Sequence, residues 1–72
     1  MPVLHLLIDG ASHEVVAAPL IFRKLRATGR PLDDALAQEL LDEVKIYNAV
    51  PPEAEASWKA AVVAAYAAYE DA

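Results

Sequence analysis

The sequence predicts a small α+β domain, mainly helical, in which an N-terminal β-hairpin is followed by a short helix and an antiparallel pair of longer helices. Three observations carry this. Asp9-Gly10 stands between two apolar stretches, which is the strongest short-range signal for a hairpin. Apolar residues recur at helical spacing from Leu36 to Tyr47 and again from Trp58 to Tyr69. Between those runs lies Pro51-Pro52, through which no helix continues.

The hairpin is expected within residues 1–17. A two-residue type I′ turn at Asp9-Gly10 sets the register, so that Ile8 faces Ala11, Leu6 faces His13, His5 faces Glu14 and Leu4 faces Val15. Leu6, Leu7 and Ile8 run consecutively and break the alternation of a strand wet on one side, which implies cover on both faces. A lone hairpin is marginal in water, so helices or a partner's hairpin must supply that cover.

A short helix is expected over residues 19–28, opened by Pro19, with Ile21, Phe22 and Leu25 on one side. Thr28-Gly29 ends it, Gly29 being suited to a left-handed cap. After Arg30-Pro31 the next helix is expected over residues 32–48, with Asp33 and Asp34 in its first turn. Leu36, Leu40, Val44 and Tyr47 share one face of it, flanked by Ala37 and Leu41, while Gln38, Asp42 and Lys45 lie opposite. Ile46 falls on the side that should be wet. Asn48 is a candidate cap, and Ala49 to Pro52 form the turn of a helical hairpin.

The last helix is expected over residues 52–70, with Pro52 at its first position and Glu53 and Glu55 at the positive end of its dipole. At about 100° per residue, Trp58, Ala61, Val62, Ala65, Tyr66 and Tyr69 form one stripe. Ala56, Ala60, Ala64 and Ala68 form a smooth ridge on the far side. A helix apolar on both faces is normally buried on both. The stripe packs on the chain's own core, so the ridge is expected to meet another chain, with Val63 beside it and Ile46 as a further candidate contact.

The totals point the same way. A domain of 72 residues buries only about 60% of the surface of its unfolded chain, and this one has no Cys with which to add a disulfide or a thiolate metal site. Self-association is the simplest remaining source of stability. The lack of Cys fits a reducing compartment, Val3 to Ile8 is too short for a secretory core, and Ala60 to Tyr69 falls well short of the ~20 residues that cross a bilayer. These readings place the chain in the cytoplasm, away from membranes.

Charge is unevenly spread within the net −5. The first thirty residues hold four basic and two acidic side chains, whereas the remainder holds two basic and nine acidic ones. An acidic body repels phosphate backbones, so a nucleic-acid partner is not expected.

Four groups of residues carry side chains capable of chemistry or ligand binding. His5, Asp9, His13 and Glu14 contain imidazole and carboxylate ligands suited to a divalent transition metal, but His13 points to the face opposite His5 and Glu14, and no spacing matches a known metal motif. Asp9, Ser12 and His13 supply the residue types of a hydrolase triad, yet neighbours on a strand point apart. Arg23, Lys24, Arg26 and Arg30 form a basic patch, read as a solvated face paired with Asp33, Asp34, Asp42 or Glu43. Trp58, Tyr66, Tyr69 and Tyr47 fit a core or interface rim. The sequence therefore points to a non-enzymatic interaction module with no cofactor, acting as a homo-oligomer or as a subunit of a larger complex. The alternatives are a metal-handling or enzyme-accessory protein built on the hairpin ligands and, more distantly, a small transcriptional regulator using the basic patch.

Overall fold

The structure, a computed structural model, describes residues 4–69. Strand β1 (Leu4–Ile8) pairs antiparallel with β2 (Ala11–Val15) in the expected register, Ile8 opposite Ala11 and Leu4 opposite Val15. Asp9 and Gly10 both hold positive φ, 52° and 79°, as a type I′ turn requires. The side chains alternate across the sheet. Ile8 and Val15 are buried, with Leu4, Leu6 and His13 partly so, while His5, Leu7, Ser12 and Glu14 are exposed. Within the chain the helices cover only the face that bears Ile8 and Val15, and on the other face Leu7 is 73% exposed.

Helix α1 (Ala18–Arg26) begins one residue before the expected start, directly out of the hairpin. Ala17 makes that corner in the left-handed region, φ 66°, a conformation that costs a residue with a Cβ about 1 to 2 kcal/mol. Ala18, Ile21, Phe22 and Leu25 are buried. Turn hydrogen bonds from Thr28 N–H to Leu25 O (3.1 Å) and from Gly29 N–H to Arg26 O (3.1 Å) close the helix before Gly29.

Helix α2 (Asp34–Tyr47) starts two residues later than expected, since Asp33 is its N-cap and accepts a hydrogen bond from Leu36 N–H at 2.9 Å. Leu36, Ala37, Leu40, Leu41 and Val44 are buried along its inner face, whereas Tyr47, in the final turn, is half exposed. After Pro51 the chain makes a 3₁₀ turn over Pro52–Ala54 and only then enters helix α3 (Glu55–Ala68). Pro52 thus opens a tighter turn rather than the α-helix itself.

Helix α2 packs against both α1 and α3, and α3 also packs against β1. The core joins Ile8 and Val15 of the sheet to Phe22, Leu25, Leu40, Val44, Trp58, Val62 and Tyr66. Phe22 is fully buried with the rings of Tyr66 and Tyr69 edge-on to it, both at 5.5 Å, so these aromatics belong to the core. No helix among the described residues is long and apolar enough to cross a membrane.

Candidate interaction surface

Helix α3 divides into two faces. Trp58, Val62 and Tyr66 are buried, and Ala61, Ala65 and Tyr69 are partly buried against the core. On the opposite side Ala56, Ala60, Ala64, Ala67 and Ala68 are exposed, and no charged residue occurs between Ala60 and Tyr69. Val63 stands apart from this row, since it is partly buried and packs on the core. The result is a solvent-facing strip of methyl groups along most of the helix.

Ile46 is 66% exposed on α2, as its helical position implies. The seam between α2 and α3 is bridged by Lys45 Nζ to Glu55 at 3.2 Å and by Lys59 Nζ donating to Gln38 Oε1 at 3.3 Å.

The hairpin ligands do not converge. His5 and Glu14 are cross-strand neighbours on the outer face, Asp9 is in the turn, and His13 lies on the inner face with its ring 5.4 Å from that of Trp58. Among the described residues no group of three or more His, Asp or Glu is gathered as a metal would need. Ser12 and His13 point to opposite faces, so the residue types of a triad do not become one.

The basic patch is absorbed by the fold, with partners that only partly match those expected. Lys24 binds Glu43 at 2.8 Å, and Arg30 binds Glu39, at 2.5 Å, rather than Asp33 or Asp34. The carboxylate hydrogen bond in each case raises the cation's pKa above its ordinary value. Arg26 donates from Nη2 to the carbonyl of Tyr66 and its guanidinium lies 4.7 Å from the centre of that ring. A cation there opposes the negative end of the α3 dipole and satisfies a carbonyl of its last turn. Arg23 lies on the exposed side of α1.

Leu7 and Asn48 have surroundings that the sequence pattern does not announce. Leu7 is exposed on the outer face, and its place in a continuous apolar run does not say which face of the sheet the helices cover. Asn48 does more than cap. Its Oδ1 accepts from Val16 N–H at 2.8 Å, and its Nδ2 donates to Val16 O at 3.1 Å and to Val44 O at 2.9 Å. One side-chain amide thereby pairs with the peptide groups of Val16 like a short piece of strand and ties the exit of the hairpin to the end of α2. The sequence signal was the Asn after a helix, which announces a cap but not a partner 32 residues away.

No cleft or cavity opens among the described residues. The chain matches no family model, no curated protein and no solved structure.

Proposed function

We propose that this chain is a non-enzymatic protein–protein interaction module that docks through the outward face of α3, against a second copy of itself or a subunit of a larger complex. The observation that supports this reading is the exposed row of Ala56, Ala60, Ala64, Ala67 and Ala68 on a helix whose other face is already buried. Helix propensity alone is a weak reason to keep such a row, since Lys, Glu, Gln or Arg would cost at most a few tenths of a kcal/mol per site and would favour solubility, by the usual scale of less than ~0.7 kcal/mol for ordinary residues. Methyl side chains offer instead a surface on which a second helix can approach at the short end of the usual ~8 to 10 Å spacing. Docking would also add the buried apolar area that a domain of this size lacks.

Light scattering after size-exclusion chromatography tests the proposal. The chain is expected to be a dimer or higher oligomer at micromolar concentration, and Ala64→Arg is expected to reduce it to a monomer with unchanged circular dichroism. The Arg side chain would hold a partner helix away or be buried without a counter-ion. If the wild type is a stable folded monomer, or Ala64→Arg retains the wild-type mass, the ridge is not the self-docking face.

A further inference from the structure

We draw no further inference here: the strongest candidate, the outer face of the hairpin where Leu7 stands exposed beside His5 and Glu14, is an unpartnered surface patch, and nothing in the structure shows what covers it.

Discussion

Replacing Asn48 tests whether the hairpin is held by its own strand pairing or by its attachment to α2. Asn48→Ala removes three hydrogen bonds, two to Val16 and one to Val44 O, without disturbing the backbone, whose extended φ of −133° suits any residue. A typical hydrogen bond contributes about 0.5 to 1.5 kcal/mol net. The two bonds to Val16 are exposed and water can replace them, so they belong at the low end of that range, whereas the bond to Val44 O is partly buried. The expected loss is therefore about 2 kcal/mol, equivalent to a fall in Tm of roughly 8 to 16 °C for a domain of this length. Urea denaturation followed by the fluorescence of Trp58, the single tryptophan, measures it. Asn48→Asp separates the bonds from the shape. It keeps the acceptor for Val16 N–H but turns a carboxylate oxygen toward two carbonyls at the negative end of α2, which disfavours the charged form and raises the folded-state pKa above the unfolded value of about 3.9. A group whose charged form is disfavoured in the folded state destabilises fully above that raised pKa and ceases to do so only once the pH has fallen below the unfolded value, so the deficit of Asn48→Asp relative to wild type shrinks as pH falls through the carboxylate range. A loss below about 0.5 kcal/mol for Asn48→Ala, the size of an ordinary surface substitution, would refute the reasoning and show that water replaces all three bonds.

Trp58→Ala is expected to cost about 3 to 5 kcal/mol, since the ring is buried against His13 and the core, and circular dichroism should show largely unfolded chain; a cooperative melt near the wild-type Tm would contradict the packing. Two of the positive-φ positions, Gly10 and Ala17, should respond oppositely. Gly10→Ala introduces a Cβ at φ +79°, where nothing crowds it but the conformation is strained, and should lose about 1 kcal/mol, while Ala17→Gly relieves similar strain and should leave urea stability unchanged or higher. Equal losses for both would mean that backbone strain is not what distinguishes them. Because only His5 and Glu14 share the outer face, with Asp9 in the turn and His13 on the inner face, adding a chelator is expected to leave Tm unchanged; a fall reversed by zinc would restore the metal reading.

The local part of this fold was legible in the chain. Asp9-Gly10 specified the turn and the whole strand register, because both residues tolerate the positive φ that a type I′ turn demands, and a period of two then assigns every side chain to a face. Leu36, Leu40 and Val44 on α2, and Trp58, Val62 and Tyr66 on α3, announced their buried faces by helical spacing, and the alanine ridge was visible as the remainder. Each of these rests on the chemistry of neighbouring residues along one element. What spans elements could not be read that way. Glu39 rather than Asp33 receives Arg30, Arg26 finds Tyr66 O across 40 residues, and Asn48 closes on Val16 across 32. Such choices depend on how α1, α2 and α3 pack around one another, which sets distances that no period records. The same reason left Leu7 uncovered: composition marked it as apolar, but only the position of the helices decided which side of the sheet would be dry.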